Sequence, residues 1–323
     1  MEHRTLQVGA AALAFALLLR LTGSWEKGAW ELGNTLLFLS TGRMVTAAAP
    51  EKEPAETTPP EPSMTTPVLA DTAVPVFGQQ QETLVQVSSQ WDVNTVELLQ
   101  KPLTWQLKGE EPTVLILHTH ATESYEKNGN YQETSPYRTL DTSYNMIAIG
   151  DRVTELLEAG GIRVIHDRSL HDYPSYNSAY NNAREEIAEY LAEYPSLCLV
   201  LDLHRDAWED GEGNQKGETV DIDGKTVAKL MLVMGSDKGT LPYPDWQTNL
   251  ALAVKLQAQL EQSHPGLCRP VKLVDSRYNQ DLSTGALLVE VGMAGNTHPE
   301  ALRAAQFLAE GILALADGAN ICA

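Results

Sequence analysis

An α/β fold is what this sequence predicts, with a mostly parallel central sheet and helices on both faces. Three observations predict it. Short apolar runs at residues 114–117, 199–203 and 286–289 read as strands buried on both sides. Longer amphipathic segments of helical period alternate with them. Each run also leads into an imidazole or a carboxylate, at the end where open α/β sheets keep their sites.

The elements follow in chain order. Residues 6–19 (LQVGAAALAFALLL) carry no charge and then meet Arg20. The stretch is short of the roughly 20 residues of a full span, but Arg20 can snorkel and let it extend. It reads as an uncleaved membrane anchor, with a signal-peptide core as the alternative; no small-residue cleavage site follows closely. Residues 1–22 are therefore assigned to an anchor or signal segment. Residues 23–99 are assigned to a linker and an ill-defined region. Within it, 46–76 is dominated by Pro, Thr, Glu and Ala, with too little apolar content to offset the entropy of ordering. Residues 83–96 read as a short strand or helix.

Residues 100–323 form the expected globular domain. Strand 114–117 comes first, followed by a polar loop at 126–140. Asp141, Thr142 and Ser143 offer N-caps for a helix over 144–159, which Gly160 and Gly161 stop. Strand 162–165 then completes a strand–helix–strand unit, which argues for a right-handed crossover and parallel pairing. A helix over 178–194 leads to strand 197–203. Asp223-Gly224, between Thr and Val residues, signals a hairpin. Residues 230–234 join the main sheet, 246–263 form a helix, 287–291 a buried strand, and 299–315 a closing helix of Ala-rich, helix-favouring composition.

Composition narrows the function. The chain has 43 acidic and 23 basic residues, a formal charge of −20. Such a surface repels nucleic acid, so no nucleic-acid partner is expected. Three cysteines give no disulfide framework, and Cys198, inside an apolar run, reads as a buried small hydrophobe. There is no phosphate-binding glycine fingerprint and no G-x-S-x-G.

The three strand ends, with their imidazoles and carboxylate, are expected to converge on one metal. Zinc takes His nitrogen with occasional carboxylate, and a catalytic zinc keeps one position open. His118 and His120 flank one threonine, and they face the same side if strand geometry continues through them. Glu123 completes a ligand pair if a turn follows His120, and His204 comes from a separate strand end. Glu290 is the general-base candidate, because burial at the end of an apolar run raises a carboxyl toward neutrality. A single histidine at a strand end is more often a hydrogen-bonded structural residue; recurrence of such residues at several strand ends points to a metal. His171-Asp172 either lines the cleft or caps. Arg205, Arg277, Asn279 and Gln280 stand near the site loops, to bind substrate or to solvate a rim.

HTHATESY (118–125), LDLHRDA (201–207) and SRYNQDLSTGALLVEVGMAGNT (276–297) resemble the stage II sporulation protein P family of endospore-forming bacteria. The resemblance covers roughly residues 100–318 and the order of the motifs. That family is related to the zinc N-acetylmuramoyl-L-alanine amidases, which implies an amidase-like fold and a bound Zn2+. Against the relatives' pattern, His120 resembles the first ligand, His204 the later one (S-x-H-x-N-A there, DLHRDA here) and Glu290 the catalytic acid/base (V-E-x-G-F there, LLVEVG here). The carboxylate ligand departs from the pattern. Asp141-Thr142 stands where the relatives have Glu-Lys, and Glu123 is preferred over Asp141. His118 has no counterpart, and its role is open.

The resemblance implies hydrolysis of the N-acetylmuramoyl-L-alanine amide of peptidoglycan in sporulation and engulfment, with cutting of peptide cross-links also linked to the family. It further implies a complex with the stage II proteins D and M. With the anchor, it places the catalytic domain on the wall side of the cell membrane, held by a single pass. The competing readings are a metallopeptidase on the same scaffold and a non-enzymatic wall-binding module with a vestigial site.

Overall fold

The computed structural model describes residues 84–318, apart from residues 104 and 128. The expected anchor and most of the expected linker lie outside the described residues. Among the described residues no helix is long and apolar enough to cross a membrane.

The sheet has seven strands. In chain order its members are β1 (Val87–Ser88), β2 (Val114–Leu117), β5 (Val164–His166), β6 (Leu199–Asp206), β9 (Leu230–Met234), β10 (Val271–Leu273) and β11 (Ala286–Met293). Across the sheet they lie β1-β10-β9-β11-β6-β2-β5. Every pairing is parallel except β9 with β11. The mostly parallel sheet is thus as expected, with one reversal. Between β6 and β9 the chain forms the predicted hairpin, β7 (Thr219–Ile222) and β8 (Lys225–Ala228). Its turn residues Asp223 and Gly224 take φ of 52° and 73°, as a two-residue turn matching strand twist requires.

Alternation along the strands sorts the core into two faces. Val114, Ile116, Leu199, Leu201, Leu287 and Val289 face one side. There they pack against α1 (Thr95–Gln100), α2 (Met146–Ala159), α4 (Trp246–Ser263) and α5 (His298–Ala316). Leu115, Leu117, Val200 and Ala286 face the other, against Ala183 and Ile187 of α3 (Ala179–Glu193). On that second face Met231, Val233 and Leu288 are covered instead by Val274 and Tyr278. Helices flank both faces unequally, and the part of the second face without a helix adjoins the site.

Several boundaries differ from expectation for local reasons. α2 begins after Asn145, whose side chain accepts from Ile147 N at 3.0 Å. The expected caps at 141–143 instead form a turn, closed by Tyr144 N to Asp141 O at 3.0 Å. The polar loop at 126–140 contains a small hairpin, β3 (Glu133–Ser135) with β4 (Arg138–Thr139). α5 carries a full capping box between Thr297 and Glu300. β10 is a three-residue strand with too short a pattern to read. The folded unit also starts ahead of residue 100: β1 pairs with β10, and Leu98 and Leu99 of α1 are buried.

Candidate active site

β6 and β11 pair in parallel with His204 beside Glu290. Both project from the second face, as does Asp202 two residues before His204. β2 stops at Leu117, and the chain turns over residues 119–122. Asp202 anchors that turn: its carboxylate accepts Thr119 N at 2.8 Å and Thr119 Oγ1 at 2.6 Å. The turn separates the two histidines of HTH. His118 keeps to the first face, where Nδ1 bonds Leu203 O at 3.1 Å and Nε2 meets His166 Nε2 at 2.9 Å. His120 swings to the second face, edge-on to His204 with ring centroids 5.3 Å apart. Strand geometry does not continue through the motif, so the two imidazoles do not share a side.

Glu123 closes the cluster. Its Oε2 lies 3.7 Å from His204 Nδ1 and accepts Arg205 N at 3.3 Å. Arg138 donates to its Oε1 at 3.2 Å, and Arg205 Nη1 stands 3.7 Å away. On the outer side Tyr176 stacks on the His120 ring at 4.5 Å and 7°. Tyr180 meets His120 edge-on at 5.5 Å.

The pocket holds three buried polar atoms with no hydrogen-bond partner among the described residues: His120 Nδ1, His204 Nε2 and Glu290 Oε2. His204 Nε2 stands 3.0 Å from Asp202 Oδ1, near enough for charge attraction but without the alignment of a hydrogen bond. Orphaned buried groups are costly, and their concentration in one pocket marks a site made for something else.

Charge in the pocket is finely opposed. Burial pushes the Glu290 carboxyl up to about 8, against the pull of His204 and Arg205, with Glu123 adding to the rise. Burial disfavours His204 as a cation, yet Asp202, Glu123 and Glu290 outweigh it and raise the imidazole to about 9. Asp202 is held at about 2, because His204 and the Thr119 bonds overcome its burial. Glu123 falls below its ordinary value: burial opposes this, but Arg205, His204, His120 and Arg138 prevail. Burial lowers His120. Burial and the neighbouring His166 take His118 down to about 3.

As placed, no three His, Cys, Asp or Glu side chains among the described residues form a group that could hold a metal ion. The donor chemistry nonetheless fits zinc. Two imidazoles each keep a nitrogen without a hydrogen bond, and a carboxylate adjoins them. The other candidates are placed elsewhere. Asp141 is exposed and accepts from Ser143 N. Arg205 is buried, with its guanidinium donating to Ser124 O and Tyr137 O at 2.9 and 3.0 Å. Gln280 is buried and bridges Gly235 N and Val233 O. Arg277 donates to Asp281 at 3.0 Å, beside Arg184, which grips the same carboxylate at 2.9 and 2.8 Å. Asn279 Nδ2 donates to Tyr180 O at 2.8 Å.

Sequence reasoning passed over Asp202, Tyr176, Tyr180 and Arg138, and left Asp172 undecided. Asp202 was legible, since period two puts it on the face of His204. Asp172 is buried behind the site, 4.0 Å from His120 Nδ1, and accepts from Thr122 Oγ1 and Arg138 at 2.6 and 2.7 Å. Nothing local marks Arg138, which reaches the site only because β4 bridges to Glu123.

The sequence model of the family stage II sporulation protein P (SpoIIP) matches residues 40–313. Stage II sporulation protein P of Bacillus subtilis (strain 168) is 29% identical over 224 residues, 65% of this chain and 53% of that protein. The chain thus spans about half the length of that relative. Among solved structures it is similar to the CwlD amidase from Clostridioides difficile in complex with the GerS lipoprotein. The identity is 18%, the TM-score 0.41, and the match covers 63% of this chain and 98% of that one. It is also similar to the N-acetylmuramoyl-L-alanine amidase from Clostridium difficile 630, at 17% identity and TM-score 0.38, over 64% of this chain and 95% of that one.

Proposed function

The chain belongs to the stage II sporulation protein P family, and we propose that it is a zinc-dependent peptidoglycan hydrolase of sporulation. The bond cut is the amide between N-acetylmuramic acid and the L-alanine of the stem peptide. One observation carries the reading: His120, Glu123, His204 and Glu290, from three separate stretches of chain, meet in one cluster, where His120, His204 and Glu290 each bury an atom without a hydrogen-bond partner.

His120, His204 and Glu123 would hold the zinc. When bound, zinc lowers the pKa of a water to about 7 and polarises the amide carbonyl. Glu290 Oε2 takes the proton lost by the attacking water and returns it to the leaving nitrogen. A carboxyl raised by burial suits both halves of that transfer. Asp202 holds the turn that presents His120 and lies beside His204. Arg138 and Arg205 fix the Glu123 carboxylate. Arg277 and Asn279, on the loop beside Tyr180, bind substrate at the rim. The uncharged stretch at 6–19 anchors the chain in the cell membrane, the acidic Pro-rich segment tethers it on the wall side, and the stage II proteins D and M are its partners in engulfment.

The test is cleavage of purified muropeptides by the full chain, with zinc measured in the same sample. Release of free stem peptides, together with its loss in Glu290→Gln at unchanged zinc content, supports the reading. Release of fragments cut within the cross-link instead makes the protein an endopeptidase. A wild-type protein that holds no zinc and cuts neither bond sinks the proposal.

A further inference from the structure

Tyr180 stands at the site without a task in the mechanism above. It lies in the first turn of α3. Its ring lies nearly parallel to that of His204, with centroids 6.5 Å apart at 16°, and edge-on to His120 at 5.5 Å. Tyr278 closes on it at 5.8 Å. The main chain is fixed as well, by Asn279 Nδ2 donating to Tyr180 O at 2.8 Å. Tyr278 and Asn279 both take left-handed φ, 52° and 58°, an uncommon conformation for residues with a Cβ and a strained one when two occur in succession. The loop bears that strain while bracing Tyr180.

The hydroxyl is treated differently from the ring. It makes no hydrogen bond among the described residues, it is not sealed from solvent, and it lies within electrostatic reach of Asp202, Glu290 and Glu123. A half-buried phenol held from several sides, with a free O–H beside two proposed metal ligands, is a preorganised donor.

Amide hydrolysis supplies the acceptor. As water oxygen adds to the carbonyl carbon, the carbonyl oxygen gains negative charge. We propose that Tyr180 Oη is a catalytic hydrogen-bond donor to that oxygen. Its proton stays on the phenol throughout. The proton from water passes by way of Glu290 to the leaving nitrogen as the C–N bond breaks. The inference rests on the hydrolase reading above and adds a residue that stabilises charge rather than moving a proton.

Tyr180→Phe tests it, since it keeps the ring and its stacking and removes only the O–H. Two readouts are taken on the zinc-loaded full chain. The first is affinity for inorganic phosphate, a tetrahedral oxyanion, by titration calorimetry. The variant is expected to bind about tenfold more weakly, equivalent to about 1.4 kcal/mol, with zinc affinity unchanged. The second is muropeptide cleavage, where kcat is expected to fall about 100-fold at unchanged KM. Tyr190→Phe, on the same helix but packed against the core, leaves both unchanged. Equal phosphate affinity in wild type and Tyr180→Phe, or no phosphate binding by wild type, overturns the assignment. Phosphate binding that depends on Tyr180 in a protein that cuts no amide keeps the oxyanion donor and removes the hydrolase reading. Cleavage indifferent to Tyr180 does the reverse.

Discussion

At the scale of single residues, the choice of Glu123 as the proposed carboxylate ligand rests on where two side chains lie. Glu123 is 6% exposed and stands against His204, while Asp141 is exposed in a turn. Glu123→Gln is therefore predicted to weaken zinc binding by at least about tenfold, and Asp141→Asn to leave it unchanged, in competition with a coloured chelator. The opposite order would restore Asp141 as ligand. A second prediction concerns acid. Burial works against ionisation of Asp167, but bonds from His171 at 2.9 Å and from Ser169 outweigh it and hold the carboxyl at about 2, against an ordinary 3.8. A depressed carboxyl favours folding when ionised. Its contribution, about 2 kcal/mol, is full above about pH 4 and fades as the pH falls through 2. Acid titration of stability should be steeper over that window in wild type than in Asp167→Asn; parallel curves would refute the assignment.

Whole elements are placed by close approach. α2 crosses the sheet at Gly150, where an added Cβ would lie 2.5 Å from His118 Nε2 and closer still to His166 Nε2. These rings cannot swing aside freely, because His118 is tied to Leu203 O and His166 Nδ1 lies 3.1 Å from Asp151. Alanine gains about 1 kcal/mol of helix propensity over glycine, but overpacking a filled core costs about 1–3 kcal/mol. Gly150→Ala is predicted to lower Tm by several degrees, whereas Gly109→Ala, with nothing within 4 Å, is predicted to be neutral. Thermal unfolding of the two variants side by side checks this, and a neutral Gly150→Ala would mean that the histidine layer yields. β11 shows a related device. Its register with β6 shifts between Glu290 and Met293, around Gly292 at φ 79°. The irregularity begins at the residue proposed to carry the proton, as bulges beside sites commonly do.

For the molecule as a whole, the folded unit extends beyond the boundary that composition suggests. Leu98 and Leu99 bury almost completely, Lys255 donates to Leu99 O, and β1 adds an edge strand. Two leucines alone contribute about 3–6 kcal/mol on burial. A chain that begins at residue 102 is accordingly predicted to unfold at lower denaturant than one that begins at residue 84. Coincident curves would show that the segment is dispensable. The sequence offers a short strand or helix over 83–96 but not its place in the folded unit, because its apolar residues are few and without a firm period. They are buried by partners more than a hundred residues away, as Gln86 N shows in bonding Gln257 Oε1.

The sequence by itself determined the layered α/β design, the parallel strands that lead into His204 and Glu290, and the helices between them. Period-two and helical apolar patterns are local properties, and each fixes which face of its own segment is buried. Tertiary structure alone decided which histidine of HTH enters the pocket. Beyond Leu117 the side-chain direction is set by a turn, and that turn is held by Asp202 from another strand. It also decided that Arg205 and Gln280 serve the scaffold, since their partners lie on distant segments. The pocket wall of Tyr180 and Tyr278 has the same origin. Its two rings are far apart in sequence, and they meet only because α3 and the loop after β10 pack over one face of the sheet.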